Sequence, residues 1–260
     1  MPKRPLWREK LLSIKDLLDE REFRHGVGAV PASSIGTQFF CEMKVEQGFI
    51  HGDVETEEKT EGEALHEQLL PMEQTTREKL LGDIERGRLV VASFAMAAPA
   101  MDLVLVGVPD AVIFQGGKPT HVIELKTTTG DPTILFDGQR AQTLVYGLLL
   151  DQVGFDCHGL ELAVVKFRRQ APLSDEQKGA FLQKVTNTLV SGMDPGSIAA
   201  GSGGYVVTHL LAYSKEDALQ VLERTEGYWL GKRGPVPAKN PNKCRACEFR
   251  EVCPSSLAKT

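Results

Sequence analysis

Side chains equipped for hydrolytic chemistry gather in two neighbouring stretches, Gly107-Val108-Pro109-Asp110 and His121-Val122-Ile123-Glu124-Leu125-Lys126-Thr127. On a strand, alternate residues share a face, so Glu124 and Lys126 point one way while Ile123 and Leu125 point the other. Asp110 opens the preceding apolar run and comes alongside if the two runs pair through the turn at Gly116-Gly117-Lys118-Pro119. Two carboxylates brought to one point repel unless a divalent cation lies between them. An ammonium is no further ligand; it can orient or deprotonate an attacking water and offset charge growing on a phosphate. A bare Glu-x-Lys is commonplace as a solvated surface pair. Here apolar residues flank the charges on both runs, which places them inside a buried sheet, where unpaired charge is expensive and usually functional.

Two further groups fit the same site. His66, in Gly62-Glu63-Ala64-Leu65-His66-Glu67, falls on a helical pattern before the sheet, and a neutral imidazole is a good transition-metal ligand, although a lone helical histidine is more often structural. Gln139, Gln142 and Tyr146 share one helical face by their spacing of three and four. They read either as the polar edge of an amphipathic helix or as the lining of a phosphate or base channel.

The cysteines form a second constellation. Cys244-Arg245-Ala246-Cys247 followed by Cys253 gives C-x2-C-x5-C, and Cys41 lies far upstream. With no secretory signal in the sequence, metal ligation is favoured over disulfides. Zinc sites usually pair two close-spaced knuckles; three clustered cysteines with a distant fourth suit a four-cysteine iron–sulfur cluster better, with zinc as the alternative. Such a cluster would staple the two ends of the chain together. Cys157 has no cysteine near it in sequence and reads as an ordinary thiol.

The elements that must position these groups follow from hydrophobic periodicity. Residues 10–24 read as a charged amphipathic helix with its centre over Leu11 to Arg21, and Glu61 to Gly87 as helix interrupted at Pro71. Runs at Leu89 to Ala97, Met101 to Val106, Ala111 to Gln115 and His121 to Thr127 read as successive strands of a meander. Phe136 to Leu150 is then a helix, Leu160 to Phe167 a strand, Ser174 to Val190 a helix opened by a Ser174/Gln177 turn, Gly204 to Leu211 a strand, and Ser214 to Thr225 a helix capped by Ser214. Helices flanking a mixed sheet give an α/β (α+β) fold. No repeat or long linker divides the 260 residues, so the reading is a single domain: residues 1–60 supply Cys41, residues 61–230 form the core, and residues 231–260 carry the other cysteines.

Hydrophobic content of 42% with 25% charged residues is that of a globular protein. The apolar runs fall short of the roughly 20 residues of a membrane span, and no leader pattern follows the basic start, so the expected location is cytoplasmic. A net charge of −5 argues against a surface that grips nucleic acid everywhere. Candidates for a local basic patch are Lys166, Arg168 and Arg169, and Lys239, Lys243 and Arg245, each cluster reading more commonly as ordinary solvated surface charge. Gly201-Ser202-Gly203-Gly204 reads as a loop, and without a Gly-x-x-x-x-Gly-Lys-Ser/Thr segment no ATP-driven helicase activity is expected.

The order Cys41, Gly62-x-x-x-His66, Gly107-x-x-Asp110, Glu124-Leu125-Lys126, Gln142-x-x-x-Tyr146 and C-x2-C-x5-C resembles that of RecB-like PD-(D/E)xK nucleases with a four-cysteine cluster, most of all the CRISPR-associated branch, the fourth of the Cas proteins. The resemblance runs from about Cys41 to Pro254. It implies a restriction-endonuclease-like core with a central mixed sheet, and an iron–sulfur region joining the N- and C-terminal segments. It implies His66, Asp110, Glu124 and the Leu125 carbonyl around Mn²⁺ or Mg²⁺, Lys126 at the water, Gln142 and Tyr146 beside the substrate, and a [4Fe-4S] cluster on Cys41, Cys244, Cys247 and Cys253. The implied activity is exonucleolytic cutting of single-stranded DNA, with trimming of prespacers alongside the CRISPR integrase. The first 35 or so residues and the segment near Pro71 have no counterpart in that motif set. A repair nuclease or site-specific endonuclease on the same core, and a non-catalytic iron–sulfur DNA-binding subunit, are the alternatives; intact Asp110, Glu124 and Lys126 speak against the last.

Overall fold

The computed structural model describes residues 5–14, 17, 22–52, 77–169, 174–196, 198 and 202–258. His66, Pro71 and residues 61–76 of the expected helix lie outside the described residues, while its last part is helical as α4 (Arg77–Glu85). The described chain forms two mixed sheets flanked by helices. The larger is built from β2 (Val90–Ala92), β5 (Ala111–Gln115), β6 (Lys118–Thr128), β7 (Glu161–Arg168) and β8 (Val206–Ala212), in that spatial order. Only β6 and β7 run parallel. The smaller places β4 (Leu103–Gly107) between β1 (Val30–Pro31), which is parallel to it, and β3 (Met96–Ala100), which is antiparallel.

The hairpin from β5 to β6 closes through Gly116 and Gly117, at φ 60° and 83°, with Gln115 paired to Lys118. Positive φ at both central residues is the geometry that matches strand twist in a two-residue loop, and glycine adopts it without strain. Alternation along β6 and β7 then divides the chain between two cores. Val122 and Leu162 face one apolar cluster, while Ile123, Leu125, Ala163, Val165 and Phe167 face another beneath α6 (Asp175–Val190).

Helix α5 (Asp137–Val153) packs on the first of these faces and also on β3 and β4 of the smaller sheet. Every residue from Ala141 to Leu150 is buried, so this is a central helix rather than an amphipathic surface one. It ends at Gly154, a left-handed C-cap with φ 112°. Helix α2 (Ala32–Phe40) lies across its N-terminal half, and α3 (Glu42–His51) follows α2 after a break at Cys41. α7 (Lys215–Trp229) packs against α5 as well. The expected caps are in place: Ser174 and Gln177 satisfy each other's backbone amides, and Ser214 accepts from the Asp217 amide.

Three expectations need correction. The single strand over Leu89 to Ala97 is two, because the chain leaves one sheet after Ala92 and joins the other at Met96; the Ser93 hydroxyl donates to the Pro109 carbonyl at the crossing. The strands are therefore not one meander. Pro99 is tolerated because β3 is an edge strand. The helix placed over residues 10–24 starts earlier, as α1 (Leu6–Leu12), because Trp7 and Leu11 anchor one face in the core and Trp7 stacks on Phe155, while residues 15, 16 and 18–21 of that expectation lie outside the described residues. Residues 24–26 form a 3₁₀ turn with His25 at φ 66°. Third, α2 and α3 were not foreseen at all. Among the described residues no helix is long and apolar enough to cross a membrane.

Candidate active site and cysteine cavity

Continuing the β5/β6 register one pair beyond Ala111 and Ile123 sets Asp110 opposite Glu124. Asp110 Oδ2 accepts the Leu125 amide proton at 2.6 Å, which fixes the carboxylate against the strand carrying the other two charges. Glu124 is 3% exposed. Its Oε1 receives the Lys126 ammonium at 2.6 Å and the Gln142 carboxamide at 2.8 Å, and Gln142 also donates to the Tyr146 hydroxyl at 2.9 Å. Burial pushes the Tyr146 phenol well above its ordinary pKa, and the nearby charges of Glu124 and Asp110 push it the same way. Both carboxylates thus act on one buried hydroxyl. The structure brings Asp110, Glu124, Lys126, Gln142 and Tyr146 together. Gln139 has another task, its side-chain carbonyl accepting the Phe136 amide proton at the start of α5.

Three glycines make this assembly possible. A Cβ on Gly107 would sit 2.7 Å from Cε1 of Tyr146, so the Tyr146 ring lies directly on backbone there. At Gly36 a Cβ would meet the Gly138 carbonyl at 2.8 Å and the Gln142 Cβ at 3.2 Å. Gly107 stood in the sequence motif without an assigned role, and Gly36 and Gly138 gave no signal, because close helix approach is a pairwise property that one chain segment does not display.

The candidate basic patch at Lys166, Arg168 and Arg169 is not a surface patch, because Lys166 is fully buried. Its ammonium donates to the Ile134 carbonyl at 2.5 Å and lies 4.6 Å from the centre of the Phe136 ring. Burial lowers its pKa, opposed by the charge of Asp131. Lys166 pairs with Lys126 across the β6/β7 ladder and shares its face. The signal was present: Val164-Val165-Lys166-Phe167 is a charge inside an apolar strand, as Glu124 is.

Cys41, Cys244, Cys247 and Cys253 line one cavity, together with Met43 and Phe249. Cys41 is the non-helical residue between α2 and α3, and its sulfur accepts the Ala238 amide proton at 3.3 Å. Cys244 lies in α8 (Pro241–Arg245), whose Asn240 cap accepts from the Asn242 amide. Lys243 donates to the Phe39 and Phe40 carbonyls, so α8 caps the end of α2. Burial raises the Cys247 thiol, partly offset by donation from the Phe249 amide. The five cysteines are free of disulfides, and Cys157 stands apart beside the main core. Among the described residues no three His, Cys, Asp or Glu side chains converge as the ligands of one ion would.

Comparison with known proteins gives a family and little more. Residues 41–254 match the family model described as the PD-(D/E)XK nuclease superfamily. No curated protein matches the chain. Among solved structures, one described as "Crystal structure of SSO0001" is similar at 14% identity and a TM-score of 0.49, covering 97% of this chain and 96% of that one.

Proposed function

Since the chain belongs to the PD-(D/E)XK nuclease superfamily, we propose that it is a metal-dependent deoxyribonuclease that hydrolyses phosphodiester bonds of single-stranded DNA, working from ends as an exonuclease. The observation that carries this reading is the gathering of Lys126 and Gln142 on the buried Glu124, with Asp110 fixed one strand away. Two carboxylates set opposite each other on paired strands, at the end of a buried sheet, suit a divalent cation. Asp110, Glu124 and the Leu125 carbonyl, with His66 from outside the described residues, are the proposed holders of Mn²⁺ or Mg²⁺. When bound, the ion would polarise the phosphate and acidify water. An imidazole among its ligands would favour Mn²⁺.

The remaining work falls to the chain itself. Lys126, whose ammonium lies at Glu124, would orient water and offset charge growing on the phosphate. Gln142 and Tyr146 are the proposed residues beside the substrate; the Gln142 carboxamide holds the Glu124 carboxylate and also donates to the Tyr146 hydroxyl.

For the cysteines we propose a [4Fe-4S] cluster on Cys41, Cys244, Cys247 and Cys253. Four cysteines lining one cavity, three clustered in sequence and the fourth from far upstream, suit a cluster better than the paired knuckles usual for zinc. Trimming of prespacers alongside CRISPR integrase proteins is the proposed setting, drawn from the order of motifs; integrase genes beside this one would support it.

The direct test is an assay of anaerobically purified protein on labelled linear and circular single-stranded DNA with Mn²⁺, Mg²⁺ or EDTA. Metal-dependent loss of linear substrate alone is expected, abolished by Asp110→Ala and Lys126→Ala. Cutting that persists undiminished in either variant overturns the assignment.

A further inference from the structure

The loop from Thr129 to Phe136 joins the strand of Glu124 and Lys126 to the helix of Gln142, and it is held down along its length. Alternate carbonyls are taken by side chains from the same face of the sheet: Gly130 by Arg168 at 3.5 Å, the weakest, Pro132 by His209 at 2.8 Å and Ile134 by Lys166 at 2.5 Å. At the end of this fixed segment Ile134 and Phe136 are exposed, Phe136 by 55%. The ammonium of Lys166 lies over the Phe136 ring and orients it. Lys166 is in turn the ladder partner of Lys126. A half-exposed aromatic is therefore held by the ladder partner of the candidate catalytic lysine.

Building on the nuclease reading, we propose that Phe136, backed by Ile134, is the shelf on which an unpaired nucleobase next to the cut phosphate stacks. The occupant follows from chemistry on the page. A protein with a net charge of −5 gains little from phosphate attraction over its whole surface, so a strand must be held by local contacts. Every base has a π-face, so an aromatic shelf holds a strand regardless of sequence. Only an unpaired base can turn its face to such a ring, which makes the shelf selective for single strands and frayed ends.

The test uses the full-length Lys126→Ala protein and oligodeoxynucleotides carrying 2-aminopurine or an abasic residue at successive positions. Quenching of 2-aminopurine is expected at one position. Phe136→Ala should abolish it and weaken binding by about 5- to 150-fold, the range corresponding to one lost base stack. Phe136→Trp should retain binding, whereas Phe136→Leu, which still covers Lys166, should lose it. An abasic residue at the quenched position should add no further loss in Phe136→Ala. Unchanged binding in Phe136→Ala and Phe136→Leu, or fully additive losses, overturns the shelf. Cutting by the Lys126-containing protein is scored separately: its absence sinks the nuclease reading, while cutting and binding indifferent to Phe136 sink the shelf alone.

Discussion

Gly138 approaches Gly36 so closely that a methyl group on it would lie 2.4 Å from the Gly36 carbonyl oxygen. This is where α2, which is followed by Cys41, crosses the start of α5, which carries Gln142. Backbone meets backbone, so neither helix can yield by turning a side chain. Gly138→Ala is expected to lower stability by about 1–3 kcal/mol through overpacking. Gly36→Ala should do the same while also pressing on Gln142. Because both strain one contact, the double variant should lose less than the sum. Thermal unfolding of the four proteins checks this; additive losses would mean that the contact is not shared.

Gln142 has the only carboxamide seen donating to Glu124 among the described residues, and it ties that acid to Tyr146. Removing a group that orients a metal-binding carboxylate typically costs roughly 10- to 100-fold in affinity or activity. Gln142→Ala should therefore lower cutting within that range and raise the Mn²⁺ concentration needed. Tyr146→Phe should have a smaller effect and leave the alkaline side of the pH profile unchanged, because a phenol held far above its ordinary pKa does not ionise there. A titration of rate against metal and pH separates the two. Wild-type metal dependence in Gln142→Ala would exclude the orienting role.

Much of the site was legible because strand alternation is a strict rule. Glu124 and Lys126 had to share a face, and Gly116-Gly117 had to turn the chain back so that Asp110 came beside them. The spacing of Gln142 and Tyr146 showed that they shared a helix face, but not that they lie beneath Glu124. That depends on α5 being buried between two sheets, a tertiary fact that makes an amphipathic pattern unnecessary. The split of Leu89 to Ala97 was hidden for a similar reason: periodicity reports that residues are extended, not which partner strand each finds. Lys166 was misplaced by treating lysines near one another in sequence as a surface cluster, although its apolar neighbours on β7 indicated burial.

Glu42 and Arg233 form a two-pronged ion pair, at 2.5 and 2.6 Å, that joins the start of α3 to the segment after α7. Burial alone would raise the Glu42 pKa, but Arg233 and the Val236 amide outweigh it and hold the carboxyl below the usual carboxylate range. In the window between the folded and unfolded values the unfolded chain binds more protons, so stability rises with pH there. The contribution is complete above the unfolded value and is lost as pH falls through the folded one. Glu42→Gln should destabilise the protein at neutral pH by about 2 kcal/mol, below the roughly 3–5 kcal/mol of a fully buried pair because Arg233 is partly solvated. The gap from wild type should close in acid. A gap constant with pH, followed by urea unfolding, would assign the loss to packing instead.

The cysteines give the sharpest chemical contrast within one chain. Cys41, Cys244, Cys247 and Cys253 share a cavity, whereas Cys157 lies apart with its thiol pushed up to about 12 by burial and by Asp151 and Asp156. A thiol held protonated is a poor ligand and a poor nucleophile. Serine at any of the four positions is expected to remove visible absorbance and iron from anaerobically purified protein and to lower its melting temperature, because the link between α2 and the C-terminal segment is lost. Cys157→Ser should keep all three properties. Iodoacetamide gives an independent reading: the four clustered thiols should be protected until chelation and oxidation remove the metal, and should then react faster than Cys157. Stoichiometric zinc with no iron would replace the cluster by a zinc site, and early alkylation of the four in the untreated protein would rule out any bound metal.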